Sequence, residues 1–162
     1  MSVLHEIPSS IKKYLDDRGT HYEVLRHARD YAAQYTAADT HTPGRMFAKC
    51  VLVWIDNYYA MVVIPADHRV DFDRLRQELR AKDAGLVREE EMVRLFPDCE
   101  VGAEPPFGNL YDLPVYLAAP IAEDDTVTFN AGTHDEVIRM RLEVFERLTD
   151  PSVIACSVKA AM

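Results

Sequence analysis

The apolar positions along the chain alternate between helical and strand-like spacing. Ile7, Ile11, Tyr14 and Leu15 recur at helical intervals around Pro8-Ser9-Ser10, where a serine can cap a helix, and Gly19 supplies a stop. Tyr22 and Val24 alternate with polar neighbours across His21 to Arg26, the pattern of a half-buried strand. An Ala-rich stretch from about Asp30 to Asp39 predicts a short helix, and Thr42-Pro43-Gly44 breaks the chain after it. Phe47 to Ile55 is almost continuously apolar, as a strand buried on both faces would be, and Asp56-Asn57 turns it back into Tyr58 to Ile64 as a hairpin. Asp71 can cap a helix carrying Phe72, Leu75 and Leu79 on one side. Glu89 to Phe96 predicts a shorter helix with its acids at the positive end. Leu113 to Leu117, Thr126 to Asn130 and Glu136 to Arg141 predict strands, and Leu142 to Leu148 a closing helix. Strands and helices mix without strict alternation, so the expected class is α+β or irregular α/β with a mixed sheet.

No repeat, low-complexity run or Gly/Ser linker divides the chain, and one domain is expected across residues 1–162. With 48% hydrophobic and 28% charged residues it has the balance of a globular protein able to bury a core. No apolar run approaches the roughly 18–20 residues of a membrane span, and Met1 to Pro8 does not read as a secretory signal. Cys50, Cys99 and Cys156 are widely spaced and form no CxxC pair, which makes a reducing cytoplasm the default location. The formal net charge of −9 argues against a general DNA- or RNA-coating protein. Residues 1–49 hold seven Lys/Arg against six Asp/Glu, and the rest hold 11 against 21, so contact with an RNA end is expected nearer the N-terminal third.

Three places carry candidate chemistry. Lys49 interrupts the apolar strand near its start, on the same face as Phe47, Val51 and Val53; it is either a frayed strand end in water or a cation in a pocket with a negative partner. Gly102-Ala103-Glu104-Pro105-Pro106-Phe107-Gly108 has glycines that allow close backbone approach and prolines that stiffen it; it is either a rigid connector or a loop aiming N–H groups at a carbonyl or carboxylate. Asn130-Ala131-Gly132-Thr133-His134 follows a strand, and His134 is either a surface residue or an acid, base or hydrogen-bond donor. There is no HExxH, Cys/His ladder, GxSxG, GxGxxG or P-loop, and no metal or organic cofactor is expected. Cys50 in its apolar strand reads as core.

Taken in order, these segments resemble the YbaK/ProX family of prolyl-tRNA editing domains. Tyr35-Thr36-Ala37 and then His41-Thr42-Pro43-Gly44-Arg45-Met46-Phe47-Ala48-Lys49 resemble its approach to a signature lysine. Val62-Val63-Ile64-Pro65-Ala66-Asp67 resembles its second strand, Gly102 and Pro106 fall on its Gly-x-x-x-Pro loop, and Phe129-Asn130-Ala131-Gly132 through His134 resembles its late Gly-x-His turn. Asp98-Cys99-Glu100-Val101 stands where the family often has an aromatic residue. The likeness spans about residues 20–145.

The resemblance implies a compact domain with a mixed, partly barrel-like sheet wrapped by helices, and a pocket for the aminoacylated 3′ end of tRNA. It implies a hydrolase that removes the amino acid from a mischarged tRNA of the Cys-tRNA(Pro) or Ala-tRNA(Pro) kind, in the cytoplasm, with prolyl-tRNA synthetase as a further partner. Lys49, Gly102 and His134 would be its catalytic positions, and Ala103, Pro105, Pro106, Phe107, Gly108 and Gly132 would line the substrate. The ester is already reactive, so positioning and backbone polarisation of its carbonyl would suffice without a protein nucleophile. Two other readings share much of this pattern: a tRNA- or synthetase-binding module of the same fold, and a small-ligand-binding α+β protein.

Overall fold

A computed structural model describes residues 8–26 and 47–160. The predicted Ala-rich helix and the Thr42-Pro43-Gly44 break lie outside these residues. The strands are β1 (Glu23–Arg26), β2 (Phe47–Ile55), β3 (Tyr58–Pro65), β4 (His68–Val70), β5 (Ala84–Leu86), β6 (Val115–Ala118), β7 (Thr126–Asn130), β8 (Glu136–Arg141), β9 (Ser152–Ile154) and β10 (Ser157–Lys159). The described α-helices are α1 (Ser9–Asp17), α2 (Phe72–Leu79), α3 (Glu89–Leu95) and α4 (Leu142–Thr149).

The main sheet runs β1-β8-β7-β2-β3-β6-β9, with β5 also paired to β2; β4 and β10 form a separate ribbon. It is mixed, as expected: β2 runs antiparallel to β3 and parallel to β7, and β3 and β6 are parallel. β2 is the axis of the fold. One edge is paired with β3 from Ala48↔Pro65 to Ile55↔Tyr58. The other edge is divided, with β7 at Phe47↔Thr128 and Ala48↔Phe129, and β5 from Val53↔Leu86 to Ile55↔Ala84. Between these partners, residues 49–51 have no strand partner on this edge among the described residues.

The near-continuous apolar run of β2 reflects burial on both faces. Ala48 and Leu52 join the larger core, with Cys50 packed against it, while Val53 and Ile55 join a second core with Val51 against it. Helices α1 and α4 cover the first face through Ile11, Leu15, Leu142 and Phe145, and α2 covers the second through Leu75. Asp71 caps α2 as predicted, accepting from the Arg74 N–H at 3.2 Å. α1 is different: Pro8 is its N-cap and no side chain caps it. The Ser10 hydroxyl instead donates to Asp98, tying the helix to the segment before the Gly102 loop. The three-residue strands β4, β5, β9 and β10 were not predicted, because an alternation needs more residues than that to show itself.

Phe107 is the hub of the larger core. It is fully buried, edge-on to Phe129 at 5.3 Å between centroids and near Tyr14 and Phe145 at 5.5 and 6.2 Å. Phe107→Ala should therefore lower the unfolding free energy by about 3–5 kcal/mol in urea denaturation, while Val153→Ala on the surface should stay within about 0.5 kcal/mol. Equal losses from the two would show that Phe107 is not the packing centre.

Candidate functional site

Two loops from distant parts of the chain are fastened together by hydrogen bonds. The Glu100 N–H donates to the Gly132 carbonyl at 2.8 Å, and the Gly132 N–H donates to the Ala103 carbonyl at 2.8 Å. The His134 N–H donates to Glu100 Oε1 at 2.9 Å. The His134 ring, 2% exposed, meets the Val101 carbonyl through Nε2 at 2.7 Å. A carbonyl only accepts, so Nε2 carries the proton in this contact. Gly102 and Gly132 adopt φ of +87° and +97°, a region that disfavours other residues. A Cβ on Gly102 would sit 3.5 Å from His134 Cε1, and one on Gly132 would sit 2.8 Å from the Pro8 ring. The structure thus brings Gly102, Gly132 and His134 into one contact, with α1 closing over them.

The rest of the 102–108 loop serves packing. Ala103, Pro105, Pro106, Phe107 and Gly108 are buried. A Cβ on Gly108 would fall 2.5 Å from the Leu113 carbonyl oxygen, so the chain turns there without room for a side chain.

Glu104 has a second role that sequence reasoning missed. It is 4% exposed, and both its carboxylate oxygens accept from the Gly102 N–H at 3.1 Å. The donor expected to polarise a substrate carbonyl is therefore held by Glu104 in this conformation. Burial raises the Glu104 carboxyl above the usual range, and bonds from its own N–H and that of Gly102, with the charge of His134, oppose the rise. The signal in the sequence was an acid enclosed by Gly-Ala and Pro-Pro.

Cys50 and Cys99 lie close enough to Glu104 to feel its charge. Burial raises both thiols, Cys50 well above its ordinary value and Cys99 to about 12, so neither is a thiolate nucleophile at neutral pH. Cys99 also contacts the Tyr111 hydroxyl at 3.5 Å, and Tyr111 donates to Asp98 at 3.1 Å.

Lys49 stands apart from this cluster. It pairs with Ile64 in β2 and faces away from Cys50 by strand alternation. Half-buried, it is held below its ordinary pKa by burial, with the Asp67 charge acting against that shift. No hydrogen bond or ion pair joins it to Gly102 or His134 among the described residues. It does lie in the interval of β2 between its pairings with β7 and β5. The β2–β7 pairing ends at Ala48↔Phe129, one residue short of Lys49 and Asn130. Asn130 Oδ1 and, on the following turn, Thr133 Oγ1 are buried polar atoms without a hydrogen-bond partner among the described residues. Their residues are 8% and 6% exposed. Sequence reading passed over both, since nothing local distinguishes them from ordinary turn residues. Among the described residues, no group of three or more His, Cys, Asp or Glu could hold a metal ion, and no helix is long and apolar enough to cross a membrane.

Comparison with known proteins places these features in context. The sequence profile of the aminoacyl-tRNA editing domain matches residues 27–148. No curated protein matches the chain. Among solved structures, a candidate trans-editing enzyme for prolyl tRNA synthetase superposes with a TM-score of 0.83 at 19% identity, covering 98% of this chain and 100% of that one. The hypothetical protein APE2540 superposes with a TM-score of 0.82 at 19% identity, covering 93% and 100%. A scaffold from computational epitope backbone grafting superposes at 0.84 and 18% identity, covering 98% and 100%. At such identities these likenesses show a shared fold.

The raised Glu104 carboxyl has a thermodynamic consequence. The folded state holds a proton that the unfolded state has released, so this contribution to stability is present at low pH and is lost as pH rises from roughly 4 through the raised value. Glu104→Gln cannot ionise. Urea denaturation at stepped pH should show the wild type losing stability relative to the variant across that window; parallel curves would refute the assignment.

Proposed function

Because the chain belongs to the aminoacyl-tRNA editing domain family, we propose that it hydrolyses the ester joining a wrong amino acid to the 3′ end of a tRNA. The substrate is of the Cys-tRNA(Pro) or Ala-tRNA(Pro) kind, handled in trans in the cytoplasm, with prolyl-tRNA synthetase as a further partner. The observation that carries this reading is the match of residues 27–148 to the aminoacyl-tRNA editing domain. Asn130 Oδ1 and Thr133 Oγ1, buried without a hydrogen-bond partner among the described residues, are groups that a polar ligand or ordered water satisfies. A terminal ribose and an aminoacyl ester supply the hydroxyl, ammonium and carbonyl groups that such a site can bind.

In this reading the parts act by placement. Lys49 brings positive charge to the carbonyl or the terminal phosphate-ribose from β2. The Gly102 N–H polarises the ester carbonyl once Glu104 releases it, and the substrate α-ammonium is the group that draws the Glu104 carboxylate away. His134 touches no reacting atom. It is a positioning residue that holds the Val101 carbonyl and, through it, the Gly102 turn. Ala103, Pro105, Pro106, Phe107 and Gly108 keep that turn rigid, and Gly132 lets the opposing loop approach. The attacking water is activated by the neighbouring ribose hydroxyl, so the protonated thiols are no obstacle. Selection by size is limited, since a methylene is worth only about 1–3 kcal/mol, which favours a dedicated editing site.

The bond between Glu104 and the Gly102 N–H favours one second reading, a tRNA-binding module whose loop stays in this resting state. One assay separates the two: release of amino acid from tRNAs carrying cysteine, alanine, serine, threonine or proline. The expected result is release selective for one mischarged species, with kcat/KM about 10²-fold lower in Lys49→Ala, the scale of losing one charge-stabilising donor. Tight tRNA binding with no release from any species would support the binding module instead.

A further inference from the structure

At the far end of β2, about 16 Å along the strand from Lys49 at roughly 3.3 Å per residue and on the other face of the sheet, lies a second concave site. It is a groove of about 490 Å³ lined by Trp54, Tyr58, Tyr59, Leu86, Arg88 and Glu91, among others. Trp54 and Tyr59 are directly opposed across the β2–β3 pair and so share a face. Trp54 is also opposite Gly85 of β5. A Cβ on Gly85 would lie 2.7–2.9 Å from three atoms of the indole, so the ring packs against the glycine where no side chain has room. Trp54 remains 36% exposed and lines the groove. Fixing an aromatic ring this way lowers the ordering cost of stacking something on its open side.

The charges lining the groove are unequally committed. Asp56 accepts from the backbone N–H groups of Lys82 and Asp83, each at 3.0 Å. Glu91 accepts from the Tyr59 hydroxyl at 3.2 Å and is paired with Arg94. Arg88 is exposed, and its guanidinium has no hydrogen-bond or ion-pair partner among the described residues. The groove therefore offers a braced indole, a phenol and one uncommitted guanidinium. Planar rings with an adjoining cation suit a stacked base and its phosphate. The exposed Glu89 and Glu90 next to Arg88 disfavour a longer polyanion.

We propose that this groove binds one unpaired nucleobase with its single phosphate, from the single-stranded 3′ end of the RNA whose terminal ester is the substrate proposed above. This rests on the deacylase reading for the identity of the RNA, but not for the binding itself.

Trp54 is the only tryptophan of the chain, so its fluorescence reports the groove directly. The probes are the trinucleotide cytidylyl-cytidylyl-adenosine and an abasic trimer of equal charge. The expected result is saturable quenching by the first only, with log affinity falling against log salt at a slope near −0.7, as for about one phosphate on a single strand. Anisotropy of the labelled trinucleotide should show Trp54→Ala and Arg88→Glu binding at least about 5-fold more weakly, the lower end of the range for losing one base stack. If deacylation is found, the same variants should raise KM for aminoacyl-tRNA with kcat held. Equal binding of the abasic trimer, or no quenching while an apolar peptide quenches instead, would overturn the proposal. Absence of deacylation alone would remove only the function proposed above.

Discussion

The contact on which the rest of the candidate site depends is the clasp between residues 100–104 and 130–134. Three backbone N–H groups and the His134 ring cross it, from Glu100, Gly132 and His134 to the facing carbonyls and the Glu100 carboxylate. The residues joined are 29 to 34 positions apart in sequence, and closing such a loop costs chain entropy that grows only slowly with length. Several bonds made together offset that cost. Phe107 then drives the clasped loop into the core against Phe129, the strand that leads into the opposing loop. Packing and hydrogen bonding thus act on the same pair of segments.

The clasp leaves one acid in an unusual place. Glu104 is almost fully buried and spends its charge on the Gly102 N–H. A buried carboxylate with few partners is costly, and its raised pKa is the expression of that cost. Such strain persists where the fold over-determines the position, as the flanking prolines and the two positive-φ glycines do here. The arrangement leaves the Gly102 N–H occupied by Glu104.

β2 links this region to the rest of the surface. Its outer edge changes partner from β7 to β5, with half-buried Lys49 in the interval and Trp54 braced against Gly85 of β5. A strand paired continuously along both edges would have offered neither feature.

Much of the fold was legible in the sequence, because its longer elements carry their own pattern. The two-sided burial of Phe47–Ile55, the Asp56-Asn57 turn, the Asp71 cap and the amphipathic faces of α1, α2 and α4 each follow from residues within a few positions of one another. The positive-φ glycines of the two loops were equally apparent as candidates, since few other residues suit such backbone. Tertiary structure alone decided how these pieces meet. Ser10 bonds Asp98 instead of capping its helix, Glu104 takes the Gly102 N–H, and His134 becomes a brace. The orphaned groups of Asn130 and Thr133 and the indole on Gly85 belong to the same class. Periodicity records which face of an element is buried. Partners brought together across thirty or more residues are set by sheet order and register, which no local pattern contains.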